Sequence, residues 1–166
     1  MSLLKNGAVI DDRWRRLADE DPLPGTDAVI VTLARWRADR ALAGRQGPLG
    51  LALKNSEPVQ PLADEIHHFE LIALEFPKFT DGRAYSQARI LRERLGFVGE
   101  LRATGQVLLD QLLFMQRCGF DAFEIAKGAP LEAWRKATAS FSVFYQPTGD
   151  GREPVTPLRR ILGSRS

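Results

Sequence analysis

The sequence predicts an α/β fold: alternating βα units with a mainly parallel sheet, open or closed into a partial (β/α) barrel, plus an N-terminal β-hairpin. Three observations carry this. Short runs rich in β-branched and aliphatic residues recur along the chain, as in DAVIVTL (27–33) and FELIALEF (69–76). Stretches of roughly 10 to 15 residues with helical periodicity separate them, the rhythm of βαβ units with right-handed crossovers. The start, LLKNGAVIDDRWRRL, sets Asn6-Gly7 between apolar runs, and both central positions of a type I′ hairpin turn favour such residues because they need positive φ.

Taken in order, the hairpin leads into DEDPLPGTD (19–27), whose two prolines and one glycine read as a connection. DAVIVTL is the first central strand, LARWRADRALAGR (33–45) a helix, and GPLGLAL (47–53) a short strand. KNSEPVQPLADEIHH (54–68) reads as a loop with one weak helical turn, FELIALEF as the third strand, and 83–95 as a helix. In that helix Ala84, Ala88, Leu91 and Leu95 form one apolar stripe, Arg89, Arg92, Glu93 and Arg94 fall mostly on the solvated side, and Gly96 closes it. GELRAT (99–104) is a strand, QVLLDQLLFMQRC (106–118) a helix and DAFEIA (121–126) a strand. PLEAWRKATAS (130–140) reads as a helix with Pro130 in its first turn, and SFSVFY (140–145) as a last strand. Residues 1–146 form a single α/β domain on this reading, and 147–166, rich in proline, glycine and arginine, a flexible or partner-docking tail.

Composition narrows function by exclusion. Lys and Arg number 23 against 21 Asp and Glu, a net charge of +2, so nothing at chain level argues for nucleic acid or an anionic membrane. A single cysteine, Cys118, excludes an intramolecular disulfide and any cluster built on several thiolates. Its place at a helix end before Gly119 makes it a buried packing residue at the bottom of the sheet. The chain has no signal-like segment and no long apolar run, which points to the cytoplasm. Dinucleotide, P-loop and GxSxG signatures are absent, so no cofactor is named. His67 and His68 precede a strand on the wrong edge for a metal site.

In parallel α/β folds ligands bind at the carboxyl ends of the strands, where helix N-termini converge. That edge holds Lys78, Thr80, Asp81, Gly82 and Arg83 after the third strand. It also holds Lys54, Asn55 and Ser56 after the second, Thr104, Gly105 and Gln106 after the fourth, and Lys127 and Gly128 after the fifth. Lys78, Gly82, Arg83, Arg102 and Thr104 are the candidate anion-binding residues, two cations standing beside a helix N-terminus. Asp81 and Lys78 are the candidates for proton transfer. The competing structural reading makes Asp81 the helix cap and Gly82 its turn residue. Strand alternation adds that Glu75, Arg102 and Glu124 form a charged row on one face, fitting the lumen of a full or partial barrel, a subunit interface, or an exposed edge.

FPKFTDGRAYSQARILRERLGFVGELRATGQVLLDQLLFMQRCGFDAFE, residues 76–124, resembles the core of the DUF934 family of bacterial proteins, and the opening LLKNGAVIDDRWRRLADEDPLP extends the likeness. Members of that family are labelled as probable oxidoreductases involved in sulfite reduction. The resemblance implies an accessory protein of assimilatory sulfate or sulfite reduction, binding a small oxyanion or a partner. The implied partners are sulfite or nitrite reductase or phosphoadenylylsulfate reductase, and a homo-oligomer is expected. The alternative is a small (β/α)-barrel-like enzyme acting on a sulfur-containing or anionic small molecule.

Overall fold

A computed structural model describes residues 1–5, 7–132 and Arg135. The hairpin opens the fold: β1 (Ser2–Lys5) and β2 (Ala8–Ile10) pair antiparallel, with Lys5 opposite Ala8. The turn between them places Gly7 at φ +76°, the left-handed region the sequence anticipates. Six further strands follow: β3 (Arg15–Arg16), β4 (Val29–Thr32), β5 (Leu49–Leu53), β6 (Leu71–Phe76), β7 (Glu100–Gly105) and β8 (Ala122–Ile125). They form one mixed sheet of order β2-β1-β8-β7-β6-β5-β4-β3. Neighbours from β3 to β8 run parallel, whereas β1 is antiparallel to both β2 and β8.

The strict βα alternation expected from the sequence is not found. The β5–β6 connection, read from the sequence as a loop with one weak helical turn, has no α-helix and carries 3₁₀ turns at Gln60–Leu62 and Ile66–His68. The helix expected over 33–45 splits into α1 (Leu33–Ala38) and a 3₁₀ turn at Arg40–Gly44. Asp39 causes the break: it is extended, and its carboxylate accepts the Ala41 N–H at 3.0 Å, a local bond that competes with helix continuation. Helix α2 (Arg83–Arg89) runs into a π-helical turn at Ile90–Arg94, and α3 covers only Leu112–Arg117 of the expected 106–118. The expected strand over 140–145, the tail 147–166 and most of the helix over 130–140 lie outside the described residues.

Connectivity shows that the sheet curls. Flat, its edges β2 and β3 would stand roughly 34 Å apart at strand spacing, yet residues 11–14 join them directly, a link that reaches about 18 Å at most. Arg16 on β3 also meets Glu124 on β8 at 2.6 Å across the concave side. The sheet is therefore a half-barrel. Its convex face, including Val31, Leu51, Leu53, Ile72, Leu74 and Phe123, packs with Ala84, Ala88 and Leu91 of the helical layer in the main core. Those three helical residues are fully buried, as their spacing predicts. Cys118 is buried in the same core, 3% exposed. Among the described residues no helix is long and apolar enough to cross a membrane.

Candidate functional site

The concave face carries the chemistry, and strand register builds it in rows. Arg16 stands level with Ile30, Gly50, Leu71 and Glu100. One step towards the carboxyl ends come Thr32, Ala52, Ala73, Arg102 and Ala122. The next step carries Glu75 beside Thr104, and Glu124 opposite Leu3 of β1. Lys54 follows Leu53, the partner of Leu74, so it stands alongside Glu75 at the strand ends.

The lower lumen is closed by apolar packing and by ions. Ile30, Leu71 and Ala73 pack against Trp14 and Ala52. A Cβ on Gly50 would lie within 3.3 Å of Ile30, Leu71 and Trp14, so the absence of a side chain there gives the indole close contact with the floor. Arg102, 0% exposed, holds Asp12 through both terminal nitrogens (2.7 and 3.1 Å) and Glu100 through Nε at 2.8 Å, with Glu124 at 3.4 Å. Burial pulls the Arg102 guanidinium towards neutrality, but the carboxylates of Asp12 and Glu100 outweigh it and raise its pKa above the ordinary value. Lys5 completes Glu100 at 2.7 Å, and Arg16 completes Glu124.

Above this floor a cleft of about 380 Å³ opens at the carboxyl ends of the parallel strands, the position where open α/β sheets bind ligands. The small side chains of Ala52 and Ala73 leave the room. The polar wall comprises Arg16, Asp19, Thr32, Lys54, Glu57, Glu75, Thr104 and Glu124, with Gly105 at the end of β7. Several members are held in place. The Thr32 hydroxyl donates to Asp19 at 2.5 Å, and Glu57 accepts the Lys54 N–H at 2.7 Å. From α2, the buried Gln87 amide donates to the carbonyls of Lys54 (2.9 Å) and Glu57 (2.6 Å), pinning the turn that carries both. Among the described residues, neither the Lys54 ammonium nor the Glu75 carboxylate has an ion-pair or hydrogen-bond partner. Counting side chains, the wall has two cations and four carboxylates, a surplus of two negative charges.

The candidates from the sequence divide between two places. Arg102 and Thr104 lie in the lumen; Thr104 lines the cleft and donates to the Leu74 carbonyl at 3.3 Å, whereas Arg102 lies beneath it, enclosed by carboxylates. Lys78, Asp81, Gly82 and Arg83 sit outside the half-barrel wall, and none of them lines the lumen cleft. Asp81 takes both Nε (3.0 Å) and Nη2 (2.7 Å) of Arg83 together with its backbone N–H (3.2 Å). Hydrogen bonds from Arg83 hold the Asp81 carboxyl well below the usual carboxylate range. The chain's own carboxylate thus occupies the start of α2, with Gly82 at the N-cap position. Lys78 is exposed, and its carbonyl accepts the Asp81 N–H. Arg16, Asp19 and Glu57 escape the sequence reading: a strand of two residues shows no period, and Asp19 sits in a stretch that reads only as a connection.

Among the described residues no group of three or more His, Cys, Asp or Glu side chains is placed to hold a metal ion. Searches of curated proteins and of solved structures returned no match. A family model described as bacterial protein of unknown function (DUF934) matches residues 50–156, which take in β5 to β8 and most of the cleft wall. The chain belongs to the DUF934 family of bacterial proteins of unknown function.

Proposed function

We propose that the protein is a small half-barrel enzyme that performs proton transfer on a small polar molecule held in the lumen cleft. The observation that carries this is the Lys54–Glu75 pair: opposite charges on adjacent strand ends, lining the same cleft, with no partner among the described residues. Both groups are exposed to solvent at the mouth of the cleft, so a ligand seated there meets one anchor of each sign without first breaking an internal ion pair. Glu75 acts as the general acid or base, Lys54 stabilises negative charge that develops on the substrate, and the Thr104 hydroxyl orients it. We take the substrate to be sulfur-containing and the setting to be cytoplasmic assimilatory sulfur reduction, as the label read with the sequence resemblance implies.

A second reading has its own observation. Phe79, Leu108 and Phe114 are exposed by 48%, 40% and 57%. They lie in one neighbourhood: Gln111 donates to the Phe79 carbonyl, and Phe114 stacks edge-on with Tyr85 of α2 at 4.9 Å. Beside Lys78 such a patch suits a protein partner, and this is the accessory role, with a sulfite or nitrite reductase or phosphoadenylylsulfate reductase as the partner.

Complementation separates the two. A strain lacking the protein is grown on sulfate and on a reduced sulfur source, carrying the wild type, Glu75→Gln, or the double variant Lys78→Ala with Phe79→Ala. The enzyme reading expects growth on sulfate to fail with Glu75→Gln alone. Failure of the double variant with Glu75→Gln intact transfers function to the outer loop. Normal growth of the deletion strain on sulfate removes the pathway assignment.

A further inference from the structure

We infer that the cleft takes a small zwitterion, a molecule bearing an ammonium and a carboxylate or comparable oxyanion a few bonds apart, and not an inorganic oxyanion. The inference rests on the proposal that the lumen cleft is the functional site, and it names the ligand class. Its first support is charge. Arg16 is already matched by Glu124 at 2.6 Å, which leaves Lys54 facing Asp19, Glu57 and Glu75 around one cavity. A doubly negative ion would gain one cation and meet three carboxylates, so its net electrostatic interaction is repulsive. A ligand with a positive group of its own offsets that repulsion, because its ammonium meets the carboxylates while its anionic group meets Lys54.

Geometry gives the second support. Lys54 and Glu75 end adjacent parallel strands, about 4.8 Å apart in backbone spacing. One anchor for an anion and one for a cation therefore stand side by side, and a ligand whose two charges are separated by two or three bonds reaches both. The Thr32 hydroxyl is engaged by Asp19, so that carboxylate is held at the rim to assist in receiving the ammonium. Volume agrees: about 380 Å³ holds one compact molecule and lies at the small end of ligand pockets. The third support is the floor. Ala52 and Ala73 present only methyl groups there, so polar recognition is confined to the wall, and a short apolar or sulfur-bearing side chain would rest on the floor without displacing a hydrogen bond.

The test is a thermal-shift panel on the full chain, with titration calorimetry for whatever binds. The probes are L-serine and L-cysteine, N-acetyl-L-serine (ammonium removed), ethanolamine (carboxylate removed), sodium sulfate and sodium sulfite. At ten times its dissociation constant an amino acid should raise the midpoint by about 3–6 °C. The N-acetyl and decarboxylated probes should bind at least tenfold more weakly, and sulfate and sulfite should give no shift. Glu75→Gln and Lys54→Met, both at exposed positions, should each weaken amino-acid binding at least tenfold with little effect on the unliganded midpoint. A shift by sulfate or sulfite with amino acids silent overturns the inference, and so does silence with every probe. In either case the complementation result with Glu75→Gln still reports separately on whether the cleft is the site.

Discussion

An Arg102→Met variant removes the cation on which three carboxylates converge. Arg102 is 0% exposed, and its partners lie at 2.7 Å (Asp12), 2.7 Å (Glu100) and 3.4 Å (Glu124), with side-chain exposures of 34%, 10% and 15%. Taking one partner from a buried ion pair typically costs about 3–5 kcal/mol, because the remaining charge stays desolvated without compensation. Asp12 is a third exposed and can turn to water, while Lys5 and Arg16 still neutralise Glu100 and Glu124 in part. The lower part of the range therefore applies, about 3–4 kcal/mol, or about 6–16 °C in midpoint for a chain of this size. Urea denaturation followed by circular dichroism measures the loss. A loss below about 1 kcal/mol would refute the account of Arg102 as the buried centre of the floor.

Three further substitutions test the neighbouring structure. Gly105→Ala places a Cβ 2.4 Å from the Phe76 carbonyl oxygen at φ +85°, so urea midpoints should show a loss of at least about 2 kcal/mol. Gln87→Leu strands the carbonyl of Glu57 and leaves that of Lys54 with the Glu57 N–H at 3.0 Å; it should cost about 1–3 kcal/mol and speed amide exchange across 54–57, whereas unchanged exchange would show that the turn is held by other means. The indole N–H of Trp36 donates to Glu65 at 2.5 Å, and that bond, assisted by Arg37, holds the Glu65 carboxyl below its ordinary value of 4.5. A carboxyl depressed in the folded state contributes stability above the unfolded range and loses it as pH falls. Wild type should accordingly lose more stability than Glu65→Gln between about pH 6 and pH 3.5 in urea melts.

What could be read from the sequence follows from which signals have a period. The stripe of Ala84, Ala88 and Leu91 repeats with the helix and is buried. Glu75, Arg102 and Glu124 repeat with the strand and fall on the lumen side, Arg102 beneath the cleft and the two glutamates on its wall. The rule that ligands gather at the carboxyl edge selects Lys54, Thr104 and Gly105 correctly as cleft residues, but it names an edge and not a side of the wall. Lys78 to Arg83 share the edge and leave outward to start α2, a direction set by curvature that no local pattern encodes. Arginine function is hidden for a similar reason. Arg92 reads as a solvated helical residue, yet it donates to the carbonyls of Phe97, Gly99 and Gly119 and pairs with Asp121. Arg35, also within a helical run, ties down the carbonyls of Ala18 and Asp21. A guanidinium long enough to reach another element leaves no trace in its own element's periodicity.

The floor and the cleft divide the lumen's charges in a way that makes the site's polarity a consequence of the fold. Lys5, Arg16 and Arg102 face Asp12, Glu100 and Glu124, so the network balances at three charges of each sign and exports little field. That balance depends on the unusual route of the chain. The antiparallel β1 brings Lys5 beside β8, and residues 11–14 carry Asp12 back under Arg102 before β3 delivers Arg16 to Glu124. With the floor neutral, the potential at the mouth is set by the groups outside the network: Lys54 against Asp19, Glu57 and Glu75. That remainder is two negative charges in surplus, so a ligand must bring an ammonium to it and can place an anionic group only beside Lys54, whereas the exterior loop, where Asp81 already neutralises Arg83, offers Lys78 as its remaining cation. The same reasoning makes Arg16 the link between the two layers, because Glu124 Oε1 accepts both from Arg16, which lines the cleft, and from Arg102, which does not. Disturbing the floor should therefore change the charge presented at the mouth as well as the stability of the fold.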